Sequence, residues 1–133
     1  MGFTRYWTIN GGLDENKFIE FSKTCQILVD ELGVPLDGVI INDRQVRFNG
    51  VDEDAHETFH FLDNEGFNFC KTNVKPYDIV VCGCLYVAKI IFGDKIKINQ
   101  DCDQSEDEEQ LKKVISILRD KKINLILEKS LSN

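Results

Sequence analysis

The run Ile79 to Phe92 has no polar face; its single charged side chain, Lys89, lies near its end. Lys75-Pro76-Tyr77-Asp78 introduces it and Gly93-Asp94 stops it. Proline suits the first turn of a helix, where its missing N–H leaves no bond unmade, and an acid suits the positive end of the helix dipole. The run is longer than a usual strand, so it predicts a helix buried on most of its sides. It is shorter than the roughly 18 to 20 apolar residues that span a bilayer. It reads as a core helix, not a membrane anchor.

The flanking sequence supplies elements to pack around it. Residues 2–9 alternate and are rich in aromatic and β-branched side chains. They predict a strand with Phe3 and either Trp7 or Ile9 on one face, and Thr4, Tyr6 and Thr8 on the other. Asp14 caps a helix through about Leu32; Phe18, Phe21, Cys25, Leu28, Val29 and Leu32 recur at helical steps, and Gly33 ends it. Short strands follow over Val39 to Ile41, Arg44 to Asn49, His56 to Phe61 and Phe67 to Lys71, with Val46, Phe48, Phe59, Phe61, Phe67 and Phe69 facing inward. Their short Asn, Asp and Gly turns suggest an antiparallel meander. Lys95 to Asn99 alternates as a further strand, with Ile96 and Ile98 inward. Ser105 and Glu108 form a capping box for a helix to about Lys121, striped by Leu111, Val114, Ile115 and Leu118. Ile123 to Leu127 is a last strand or helical extension, and the terminal Ser-Leu-Ser-Asn is expected to fray.

Charge is unevenly distributed. The net charge is −7, and Asp101, Asp103, Glu106, Asp107, Glu108 and Glu109 account for six of those charges. The remaining, nearly neutral body shows no run of Lys or Arg, which disfavours duplex nucleic acid and makes any nucleic acid an unexpected partner. Cys25, Cys70, Cys82, Cys84 and Cys102 make an odd number without regular spacing. Together with the lack of a signal-peptide pattern, they point to reduced thiols in a cytosolic or nuclear compartment.

Several polar groups are candidates for chemistry. Cys70 and His56 would form a nucleophile pair if their strands were neighbours, with Asp78 orienting the imidazole. The commoner outcome for such a set is structural, because no nucleophile motif surrounds Cys70. Lys71, Thr72, Lys75 and the N-terminus of the following helix would attract an anion; loop residues satisfying backbone groups are the plainer account. Cys82-x-Cys84 lies within the apolar run, where side chains two apart diverge, so it reads as small core residues beside a close helix contact at Gly83. His56 and His60 share a strand side but lack third and fourth ligands, so no metal is assigned. No cofactor is implied. Arg5, Tyr6 and Trp7 have the residue types of an interface hot spot, against the alternative of core or edge packing. The acidic segment is read as a solvated loop and helix cap.

Gly2-Phe3-Thr4-Arg5-Tyr6-Trp7, Arg47-Phe48-Asn49-Gly50, His56-Glu57-Thr58-Phe59, Phe67-Asn68-Phe69-Cys70-Lys71-Thr72, Lys75-Pro76-Tyr77-Asp78, and Ala88-Lys89 with Phe92-Gly93-Asp94 occur in an order resembling an uncharacterised family. Its members are small proteins of bacteriophages and large (nucleocytoplasmic) DNA viruses, with others in scattered cellular genomes. The resemblance covers about residues 2–101 and implies a viral source without implying an activity. Members tend to carry histidine where this chain has Arg5, and Ser-Asp-Gly where it has Gln100-Asp101-Cys102. The acidic extension from Ser105 to Asn133 is particular to this chain.

The expected fold is α+β: one domain over 1–133, with a family-like core to about residue 100 and an acidic loop plus helical extension beyond it. An antiparallel sheet of about five strands packs against two main helices, with a C-terminal amphipathic helix outside. The expected function is a non-enzymatic viral accessory protein that binds another macromolecule. Its expected partner is a host or viral protein, with self-association through a sheet edge and residence in the host cytoplasm or nucleus. The alternative is a small-ligand, nucleotide or phosphate-binding protein or enzyme, with its site formed by His56, Cys70, Lys71, Thr72, Lys75 and Asp78.

Overall fold

A computed structural model of the chain describes residues 3–100 and 104–121. Its strands form two antiparallel three-stranded sheets rather than one sheet of about five. In the first, β1 (Thr4–Ile9) runs centrally between β5 (Gly66–Lys71) and β6 (Ile96–Gln100). In the second, β3 (Gln45–Asn49) lies between β2 (Asp37–Ile41) and β4 (Phe59–Leu62). The fold class is α+β, as the sequence suggests, but the meander breaks between β4 and β5.

The break is set by contacts distant in sequence. Asp63 and Glu65, in the turn after β4, turn their carboxylates away from a hairpin. Asp63 Oδ1 accepts from the Leu13 amide at 3.0 Å and Glu65 Oε1 from the Gly11 amide at 3.2 Å. Gly66 adopts φ +116°, a conformation that side chains rarely take, and swings the chain onto β1. Strand β5 then pairs with β1 in the register Tyr6↔Phe69 and Thr8↔Phe67.

That register reverses the expected faces of β5. Phe67 and Phe69 are exposed at 64% and 57%, whereas Cys70 is fully buried. An aromatic-polar-aromatic alternation reads equally well with either face inward, and a one-residue change of parity exchanges them all. On β1 the inward set is Arg5, Trp7 and Ile9, continuing from Phe3.

Three helices cover the inner faces. In α1 (Glu15–Leu32) the Asp14 carboxylate accepts from the Lys17 amide at 2.9 Å, and Gly33 closes the helix at φ +66°. Phe18, Phe21, Cys25 and Leu28 form its buried face, as the spacing predicts. In α2 (Asp78–Phe92) eleven residues are buried, Ile79, Tyr86 and Ile90 are half-buried, and Lys89 is exposed, its Nζ donating to the Gly93 and Ile96 carbonyls at 3.2 and 2.7 Å. No described helix is long and apolar enough to cross a membrane. In α3 (Gln104–Asp120) Val114 and Leu118 are buried. The helices converge at Gly83, where a Cβ would stand 3.1 Å from Leu28 and 3.2 Å from Val114. Residues 101–103 and 122–133, including the expected last element and frayed end, lie outside the described residues, as do the side chains of the expected capping box at Ser105 and of the acids through Asp107.

Aromatic rings join the layers. Trp7 packs on Phe59 and Phe61 at 5.3 and 5.9 Å between ring centres, and Phe61 meets Phe21 at 4.7 Å and Phe92 at 6.3 Å. One core thus contains side chains from both sheets and all three helices. Burial of each such ring contributes roughly 1.5 to 3 kcal/mol, which makes this cluster the main stabiliser of the fold.

Candidate functional site

The segment from Cys70 to Asp78 links an edge strand to the buried helix, and its backbone reverses sharply. Asn73 and Val74 both adopt left-handed conformations, at φ +55° and +54°. Asn73 donates its amide to the Phe3 carbonyl at 3.1 Å, and Asp78 donates its own to the Lys75 carbonyl at 2.8 Å. Asparagine tolerates this conformation, but a β-branched valine does not, at a cost of about 1–2 kcal/mol. The reversal leaves Asn73 and Val74 exposed and drives Thr72, Tyr77 and Asp78 inward.

Asp78 is the centre of a buried polar cluster. Arg5 Nε donates to Oδ1 at 2.8 Å and Nη2 to Oδ2 at 2.9 Å, a two-pronged ion pair between side chains 3% and 2% exposed. Thr72 Oγ1 donates to Oδ1 at 2.6 Å, and Gln110 Nε2 reaches from α3 to Oδ2 at 3.0 Å. Burial by itself would raise the Asp78 carboxyl; the Arg5 bonds and charge, with those of Thr72 and Gln110, outweigh it and hold the group below its ordinary value. The guanidinium also lies 5.0 Å from the centre of the Phe3 ring. Any attraction for an anion at this helix entry is thus met by the protein's own carboxylate.

Glu57 organises the second half of the segment. Its carbonyl accepts from the Tyr77 hydroxyl at 2.5 Å and the Cys70 thiol at 3.4 Å. Its carboxylate accepts from the Lys71 amide at 2.7 Å, while its own amide donates to the Lys71 carbonyl at 3.2 Å. Asn49 holds the approach to this point: Oδ1 accepts from the amides of Gly50 and His56, and Nδ2 donates to the His56 carbonyl and Thr58 hydroxyl. Gly50 is required beside it, because a Cβ there would lie 2.2 Å from the Asp54 carbonyl oxygen. The blocks around Asn49, Glu57, Cys70 and Tyr77, separate in sequence, form one latch.

The chemistry follows from these partners. Burial, reinforced by the Glu57 charge, pushes the Cys70 thiol up to about 12, so it is protonated at neutral pH and poor as a nucleophile or metal ligand. Burial likewise raises the Tyr77 hydroxyl. Cys70 finds the Glu57 carbonyl rather than an imidazole; His56 is exposed, with its backbone amide and carbonyl held by Asn49. Thr72 and Asp78 are brought together, but as mutual hydrogen-bond partners, and Lys71 and Lys75 are half-buried at the rim. Cys82 and Cys84 are core residues on α2, with the Cys84 thiol against Cys25. His60 pairs with Gln45 at 2.8 Å. Among the described residues no group of three or more His, Cys, Asp and Glu is placed to hold a metal.

Of the expected interface residues, Arg5 and Trp7 are buried at 3% and 2%, and Tyr6 alone faces outward. It does so in other company. The Tyr6 ring stacks on Phe67 at 5.6 Å with 26° between planes, and Phe67 lies 6.1 Å from Phe69. Register places Phe67, Thr8 and Lys97 in one outward row across the sheet, Phe69, Tyr6 and Asn99 in the next, and Lys71 beside Thr4 in a third. A shallow groove of about 420 Å³ runs between Phe67 and Lys97 over Tyr6 and Thr8. Glu57, Tyr77 and Gln110 escape the sequence reading because their partners are distant along the chain, and Asn49 because its loop partners at Gly50, His56 and Thr58 carry no pattern of their own. Only the capacity of tyrosine and glutamine to donate from a buried position hinted at such roles.

No family model, curated protein or solved structure matches this chain.

Proposed function

We propose that this chain is a non-catalytic binding module that engages a macromolecule through the outer face of the β5-β1-β6 sheet. The observation that carries the reading is the pair Phe67 and Phe69, exposed at 64% and 57% on one strand beside Tyr6. Covering a phenylalanine stabilises an assembly by roughly 1.5 to 3 kcal/mol, so two neighbouring rings in water are a reserve of binding energy. The resemblance to viral proteins would make such a module a viral one, and it adds no activity. The helix entry argues for the same reading from the other side. Its Cys70, Thr72 and Asp78 are engaged with Glu57, Arg5 and one another, so they serve as scaffold for the face.

The test is affinity capture with the full chain in its native host cell. Phe67→Ser with Phe69→Ser should remove the specific partner, and Lys75→Ala should leave it in place. A partner retained by the double variant, with the fold intact by circular dichroism, assigns binding to another surface.

A further inference from the structure

We infer that the partner of this face is single-stranded nucleic acid, held by base stacking on Tyr6, Phe67 and Phe69; the inference rests on the face being a binding surface. Three observations carry it. The exposed rings are flat, adjacent and near-parallel where Tyr6 meets Phe67, with 26° between their planes. Stacking of this kind accepts any base, because every base has a π-face. They stand on a sheet whose strands lie about 4.8 Å apart and whose outward residues recur about every 7 Å, so successive bases of an extended strand can reach successive rows.

The second observation is charge. Among the described residues, the outward rows of the three strands carry Lys71 and Lys97 and no acid. The nearby Glu57 carboxylate is turned onto the Lys71 amide. Six of the seven net negative charges of the whole chain fall in 101–109, outside these strands. A pair of lysines is too few for a duplex, whose affinity is dominated by phosphate contacts, but it suits a ligand held mainly by its bases.

The third is shape. The groove of about 420 Å³ has an aromatic wall at Phe67, a cationic wall at Lys97, and Thr8 and Asn99 along its lining. A base lying against Phe67 would bring its phosphate toward Lys97. A hydrophobic peptide has no charge to meet that lysine wall.

The experiment is fluorescence anisotropy of the full chain with short labelled oligothymidylate, oligouridylate and a mixed-sequence duplex. Single strands should bind and the duplex should bind at least tenfold more weakly; the two homopolymers separate DNA from RNA preference. Phe67→Ala and Phe69→Ala should each weaken binding by about 5- to 150-fold, the effect of losing one stacked base. Lys71→Ala and Lys97→Ala should each reduce the slope of log K against log salt by about 0.7. Ile40→Ala, an exposed apolar change on the other sheet, should have no effect. The assignment is overturned if no single strand binds, if the duplex binds equally well, or if both phenylalanine variants bind like the parent. If single strands fail while a protein from nuclease-treated extract is captured in a Phe67- and Phe69-dependent way, nucleic acid is wrong and the binding face stands. A parent dimer that Phe67→Ala dissociates in sedimentation gives the face to a second copy. If none of these readouts depends on Phe67 or Phe69, the binding-face reading falls as well.

Discussion

Arg5 and Asp78 meet through two parallel hydrogen bonds of 2.8 and 2.9 Å, although 73 positions separate them and water reaches neither. The pair ties the central strand β1 to the first turn of the buried helix α2. Removing one partner strands the other's charge in the core, which costs about 3 to 5 kcal/mol. Arg5→Ala and Asp78→Ala should each lower stability by that amount in urea titrations. The double change Arg5→Met with Asp78→Leu should recover most of the loss.

The same pair gives stability a defined acid dependence. The folded Asp78 carboxyl lies below its unfolded value of about 3.9, so its contribution is complete above that pH. It is lost as pH falls through the still lower folded value, because the unfolded chain takes up the proton first. Asp78→Asn should therefore flatten the stability profile below about pH 4. Thermal melts from pH 6 downward should show the parent losing more than the variant; parallel curves would refute the linkage.

Gly50→Ala tests the latch around Glu57. Its Cβ would meet the Asp54 carbonyl oxygen at 2.2 Å and the Tyr77 ring at 3.0 Å. Overpacking of this kind costs about 1–3 kcal/mol, and here one of the displaced groups is main chain and cannot rotate away. The expected outcome is a destabilised protein whose tyrosine fluorescence or near-ultraviolet dichroism reports a disturbed Tyr77.

Val74→Gly should raise stability. The valine is 55% exposed and sits at φ +54°, so glycine gives up little packing and relieves about 1–2 kcal/mol of backbone strain. The larger unfolded-state freedom of glycine offsets about 0.5–1 kcal/mol of that. A melting temperature a few degrees higher is expected, and a lower one would mean that Val74 makes contacts worth more than its strain.

Cys70 should be inert while the protein is folded. Its thiol is buried and pushed up to about 12, so iodoacetamide at pH 8 should leave it unmodified in peptide maps. Labelling should follow the unfolded fraction as denaturant is added. Fast modification in native buffer would return Cys70 to consideration as a nucleophile.

Elements whose signals are local were legible in the sequence. Asp14 and Gly33 bound α1 by their own cap geometry, and the apolar run of α2 left it nowhere but the core. Gly83 was readable as a helix contact for the same reason. The partition into two sheets was not readable, because the turn at Asp63 and Glu65 is decided by the amides of Leu13 and Gly11, about fifty residues earlier. The parity of β5 was hidden too, since Phe67 and Phe69 satisfy an alternating pattern whichever way they face. Cys70, Thr72 and Asp78 were recognised as a polar set, but their partners Arg5, Glu57 and Gln110 come from three other parts of the chain.

Strand β1 has Arg5 and Tyr6 as neighbours on opposite faces, and it is hydrogen-bonded along both edges. To slide the backbone at Tyr6 past that at Phe67 would mean breaking a ladder, and to tilt the strand would pull Arg5 from Asp78. The outward rings therefore stand on a floor that cannot readily rearrange. A partner arriving there meets a surface already ordered, so little configurational freedom of the protein is surrendered on contact. The ion pair thereby has a kinetic consequence: encounter on this face should proceed in a single step, without a slow backbone rearrangement behind it.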